Sequence, residues 1–127
     1  MSFPLVDFIV TKNIPNATDA TNQVLLIAPF ELDVVSIQAR HKTASTSGTA
    51  DLVKASSGTA LSAGTTLLSA TMSNSGTADT NVDGSLLTTI GGKRVTKGQA
   101  LGLVFAGTLT NLVDLDITVV CRQVRKS

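Results

Sequence analysis

Asp79-Thr80-Asn81-Val82-Asp83-Gly84 sets side-chain oxygens at alternate positions ahead of a glycine, as the first half of a calcium loop does when it wraps its ion. Ile90 stands where that loop needs a bidentate glutamate, and neither flank has a helical pattern, so a polar turn between strands is expected and no metal. Gly91-Gly92-Lys93-Arg94 has the look of a phosphate loop, but Leu87 occupies the position of its first glycine, and Arg94 stands where Ser or Thr should follow the lysine. A tight turn carrying exposed cations explains the stretch. Cys121 is alone, which rules out an intrachain disulfide, and its place in an alternating run marks it as a small buried apolar residue. His41 follows Arg40 at a strand end, is expected to be an exposed or edge residue, and has no second histidine with which to hold a metal. No acid–base pair, activated nucleophile or cofactor loop emerges. The chain is expected to be no enzyme and to carry no cofactor.

Composition narrows the remaining classes. The 127 residues suffice for one domain with a single core. There is no Trp or Tyr, and the four aromatics are Phe3, Phe8, Phe30 and Phe105. Sugar platforms and single-strand nucleic-acid binders depend on exposed aromatic faces, so both are disfavoured. Basic residues gather at Lys93, Arg94 and Lys97 and at Arg122, Arg125 and Lys126, yet ten bases against nine acids make a solvated rim rather than a phosphate-binding surface. A charged fraction of 15% with a net charge of +1 gives copies little mutual repulsion, which favours an oligomer. No run is long enough to span a membrane, and the start, Met-Ser-Phe-Pro-Leu-Val-Asp, lacks the basic and apolar regions of a secretory leader. The sequon at Asn16-Ala17-Thr18 therefore carries little weight.

The elements that would hold these residues are strands. Val113, Leu115, Ile117, Val119 and Cys121 alternate with Asp114, Asp116, Thr118, Val120 and Arg122, which predicts a long strand with one apolar face and both aspartates in solvent. Leu101, Leu103 and Phe105 share a face of the run 100–106, with Gly102 marking a close approach, and Gly107–Asn111 is expected to join the two runs as an antiparallel hairpin. Val35, Ile37 and Ala39 are expected to be buried, with Ser36, Gln38 and Arg40 wet. Val24–Ala28, stopped by Pro29, reads as a buried strand. Between residues 43 and 90 shorter units, 49–55, 65–72 and 82–89, lie between Ser, Gly and Asn turns. Ser-Gly-Thr-Ala recurs at residues 47, 57 and 75 without a fixed period, which excludes a solenoid. With 5–12 added, about eight strands predict an all-β, antiparallel β-sandwich, jelly-roll-like in winding.

Residues 13–22 are polar and turn-prone, and two readings stay open. They are an ordinary loop, or they free Met1–Lys12 to act as an arm on a neighbouring subunit. On that division residues 1–22 form an N-terminal segment and residues 23–127 the sandwich.

The run 35–49, the run 66–73 and above all Val95-Thr-Lys-Gly-Gln-Ala-Leu-Gly-Leu-Val-Phe-Ala-Gly-Thr-Leu-Thr-Asn-Leu112 resemble the small β-sandwich decoration (cement) and head-fibre proteins of tailed bacteriophages. The likeness covers roughly residues 23–121 and is one of pattern. It implies a homotrimer on the outer capsid surface of a virion, seated on the major capsid protein and stabilising the shell by bridging subunits. It carries no catalytic residues, nucleic-acid partner or membrane partner. The expected contact residues are Phe3, Leu5, Phe8 and Ile9 in the arm, with Lys93 and Arg94 in the basic loop. The competing reading is a receptor-binding or fibre-tip module of a phage.

Overall fold

The computed structural model describes residues 7–124, which form two antiparallel sheets packed face to face. In the first sheet β1 (Asp7–Asn16) pairs with β10 (Val113–Gln123), β10 with β3 (Leu32–Thr43), and β3 with the short β7 (Val82–Asp83) and β8 (Arg94–Val95). In the second, β2 (Gln23–Ile27) pairs with β9 (Ala100–Ala106), β9 with β4 (Thr49–Ala55), and β4 with β5 (Thr65–Thr66) and β6 (Met72–Ser73). The all-β sandwich expected from the sequence is the fold. Among the described residues there are ten strands rather than about eight, because the segment 65–72 is broken into two and residues 94–95 add another.

The core lies between the sheets. Leu115, Ile117, Val119 and Cys121 of β10 point into it as the alternation predicts, and they meet Leu101 and Leu103 of β9 and Leu52 of β4 among the fully enclosed side chains. Across the pleat Asp116 and Arg122 are exposed, while Asp114 is half-buried with a φ of 48°. Gly102 sits where the sequence placed a close approach: a Cβ there would lie 2.7 Å from the Gln23 carbonyl oxygen and from a Leu61 methyl.

Four expectations are corrected. First, β9 and β10 are not a hairpin but belong to different sheets, so residues 107–112 cross the sandwich and bury Leu112 on the way. Both runs have a buried face, and period-2 alternation cannot tell whether two such faces share a sheet or oppose each other.

Second, the faces of β3 change phase. Leu32 and Val34 are buried, then Ile37, Ala39 and His41, while Val35 is exposed. Val119 opposes Ile37 and Val120 opposes Ser36, but Cys121 opposes Val34, so Val35 is the extra residue of a β-bulge. Third, β2 is an edge strand and not a buried one: Val24 and Ile27 face solvent, and burial resumes only at Ala28. Fourth, the polar stretch from Asn13 does not begin a loop. β1 runs on to Asn16, with Asn13 opposite Asp116 and Ile14, fully buried, opposite Leu115. Residues 7–16 are therefore a strand of the chain's own sandwich, and Leu5 and Val6 lie outside the described residues.

Candidate interaction surface

The residues that looked chemical in the sequence are tied into the fold. His41, expected to be an exposed or edge residue, is 1% exposed, with Nε2 2.9 Å from the Gly76 carbonyl oxygen, while its own carbonyl accepts the Asp79 amide at 2.8 Å. The length of β3 accounts for this: the strand runs on to Thr43, so the inward alternation through Ile37 and Ala39 continues to His41. In the calcium-like stretch Asp79 takes a left-handed turn conformation, φ 56°. Val82 and Asp83 form β7, and Asp83 accepts a 2.6 Å bond from the Gln38 amide. Gly84 serves packing: a Cβ there would stand 2.4 Å from the Ile37 Cγ2. Burial pushes the Cys121 thiol up to about 11, so it stays a neutral apolar group at physiological pH.

Of the expected contact residues, Phe3 and Leu5 lie outside the described residues. Phe8 is half-buried and meets Phe30 edge-to-face at 5.7 Å, on the inner side of β1 opposite Cys121. Arg94 is partly exposed but tied to its own chain. Its Nε and Nη2 donate to the two carboxylate oxygens of Asp33 at 2.6 and 3.2 Å, and Nη1 lies 3.7 Å from Glu31. Hydrogen bonding to Asp33 holds the guanidinium above its ordinary value. The Lys54 ammonium, reaching over from the other sheet, donates to the Arg94 carbonyl at 2.5 Å. Ile9 and Lys93 are the two of this set that the fold presents to solvent.

What the fold assembles instead is a side of the sandwich where, among the described residues, both sheets end. β1 closes one sheet and β2 the other, and the two strands lie against each other. A cleft of about 440 Å³ between them is lined by Lys12, Asn13, Thr18, Asp19, Thr21 and Gln23, among others. Gln23 donates to the Asp19 and Thr21 carbonyls at 3.1 and 2.8 Å, so its amide stiffens the turn between the strands. On the outer faces beside these edges, Ile9 is 65% exposed on β1, and Val24 and Ile27 are 51% and 65% exposed on β2. Ile9 opposes Val120, and Val120 opposes Ser36 next to the bulged Val35, so a mostly apolar row crosses the first sheet from its edge. The Asp7–Arg122 pair, two bonds of 2.7 and 3.1 Å, bounds that row at one end. Hydrogen bonding to Arg122 holds the Asp7 carboxyl below its usual range.

Sequence reasoning missed Val24, Ile27 and Val35 as surface residues. A continuous apolar run does carry a signal, because a strand that is apolar on both faces must put one of them outside unless it is central. The bulge leaves no such trace.

No protein-family model matches the sequence, and no curated protein matches it. Among solved structures the chain is similar to one described as "Cyanophage Pam1 capsid asymmetric unit", at 14% identity over 98% of this chain and 93% of that one, with a TM-score of 0.49.

Proposed function

We propose that this chain is a non-enzymatic structural protein of a phage virion, which binds the outer capsid surface and stabilises the shell by bridging subunits of the major capsid protein as a homotrimer. The observation that carries the reading is the double edge, which has no strand beyond it among the described residues. Free strand edges offer rows of main-chain donors and acceptors to a neighbouring chain, and most monomeric proteins blunt them. Here the edges of both sheets coincide, with Ile9, Val24 and Ile27 beside them. Burying each such side chain is worth roughly 1.5–3 kcal/mol before ordering costs, and strand addition supplies register. Such contacts must break before a shell can expand or rupture, and this is how binding stabilises it. The sequence resemblance to decoration proteins points the same way, as does the engagement of His41, Asp83 and Arg94 in structural bonds.

The test is sedimentation with particles. A variant carrying Ile9→Lys, Val24→Lys and Ile27→Lys alters only exposed side chains and should keep the wild-type circular dichroism while losing attachment. Equal binding by the variant would remove the edge from the reading. Electron microscopy of intact particles then separates the alternatives. Symmetric copies over the shell support decoration, whereas a few copies at a vertex or tail would replace it with the fibre-tip module.

A further inference from the structure

Ile90 is fully exposed at the tip of a turn. The Gly92 amide bonds the Thr89 carbonyl at 2.9 Å, and Gly91, at φ 76°, supplies the left-handed third position that such a turn requires. The base of the turn is fixed as well. Arg94 N donates to the Gly91 carbonyl at 3.1 Å, Val34 N to the Lys93 carbonyl at 3.0 Å, and the Arg94 side chain is clamped by Asp33. The turn holds an apolar knob in a defined place.

At the other end of the molecule is an open hollow of about 560 Å³. Its apolar lining is Ala17 and Leu109, each packed against the core, flanked by Thr108 and Thr110. Bonds from Thr46 N to the Thr110 carbonyl and from Ser47 N to the Thr108 carbonyl hold its wall. The two features are separated by the length of β3: the turn joins the strand at Asp33 and Val34, while the hollow lies beyond Thr43, which pairs with Val113. Each also has one exposed charge of opposite sign close to it in the chain. Exposed Lys93 lies three residues after Ile90, and exposed Asp19 two residues after Ala17.

We propose that copies of this chain associate head to tail, with Ile90 of one copy seated in the hollow between Ala17 and Leu109 of the next and Lys93 opposite Asp19. The inference rests on the homo-oligomer in the functional reading and names its contact. A contact between two different patches is heterologous, which a three-fold ring requires and a two-fold dimer does not. An apolar anchor beside an exposed ion pair is the ordinary anatomy of such an interface, with the charges fixing orientation.

Sedimentation of purified protein at tens of micromolar, without particles, tests it. Ile90→Ser removes the knob and keeps the hollow; Thr110→Arg fills the hollow and keeps the knob. Both positions are exposed, so both variants should fold as the wild type does. Each alone should associate about tenfold more weakly or worse, while an equal mixture should form a mixed dimer and nothing larger. The pair Lys93→Asp with Asp19→Lys should restore association that either change alone weakens. If the wild type is a monomer, self-association fails altogether. If it assembles and both single variants assemble equally well, this contact is wrong while the oligomer stands. Two monomeric variants that stay monomeric when mixed would overturn the head-to-tail geometry.

Discussion

Single atoms decide several positions that the sequence leaves ambiguous. Gly84 closes a calcium-like pattern, yet its hydrogen faces the Ile37 methyl at a distance no Cβ tolerates. Gly84→Ala should therefore cost about 1–3 kcal/mol by overpacking, read as a lower midpoint in urea, and added calcium should not restore it. The Asp7–Arg122 pair fixes the start of β1 at the surface. Because the folded carboxyl sits below its unfolded value near 3.8, its contribution is present above that value and is lost as pH falls through the folded pKa. Protection of the amides at the start of β1, taken relative to their intrinsic exchange rate, should fall in acid before global unfolding, and Arg122→Gln should bring that loss of protection to neutral pH. An Arg122→Gln protein with unchanged exchange would show that the pair does not hold the strand.

On the scale of elements, alternation predicts a face only while the ladder stays in register. β10 keeps register against β1 along the inward set from Leu115 to Cys121, and Leu115→Ala or Ile117→Ala should cost about 2–5 kcal/mol in denaturant unfolding. β3, its neighbour, absorbs one extra residue, and the consequence is sharp at two adjacent valines. Val34 is fully buried and Val35 is exposed. Val34→Asp should abolish folding, because an unpaired charge would enter the core, whereas Val35→Asp should stay within about 1 kcal/mol of wild type. Similar losses at both sites would mean the bulge lies elsewhere. The same bulge turns Leu32 and Val34 into the core and Val35 out to the surface, so one inserted residue shapes both the core and the outer face.

Across the whole molecule, the first strand is both structure and edge. β1 pairs along its length with β10, buries Ile14 and places Phe8 against Phe30, so deleting residues 1–12 should destabilise the sandwich and not merely free an arm. Deleting residues 1–6 leaves every described strand intact and should preserve the urea midpoint. Under the proposed function, the shorter deletion tests whether Phe3 and Leu5 contribute to attachment. Loss of particle binding with an unchanged midpoint would assign them a contact role, and unchanged binding would confine contact to the β1 and β2 edges. An equal midpoint for the longer deletion would show β1 to be dispensable to the fold.

The sequence by itself determined the kind of fold and the inward faces of β9 and β10. Alternation in 113–121 and 101–105 follows from the pleat, which repeats every two residues whatever the topology. It likewise placed the close approach at Gly102, where a side chain would strike a neighbouring backbone. Only the tertiary structure decided which strand lies beside which. Separating β9 and β10 into different sheets, making β2 an edge and adding a bulge at Val35 depend on contacts between residues far apart in the chain, and local pattern does not encode them. The proposed surface was least legible for the same reason. An exposed edge is defined by the absence of a neighbour, and Ile9, Val24 and Ile27 differ from core residues only in where the sheets stop.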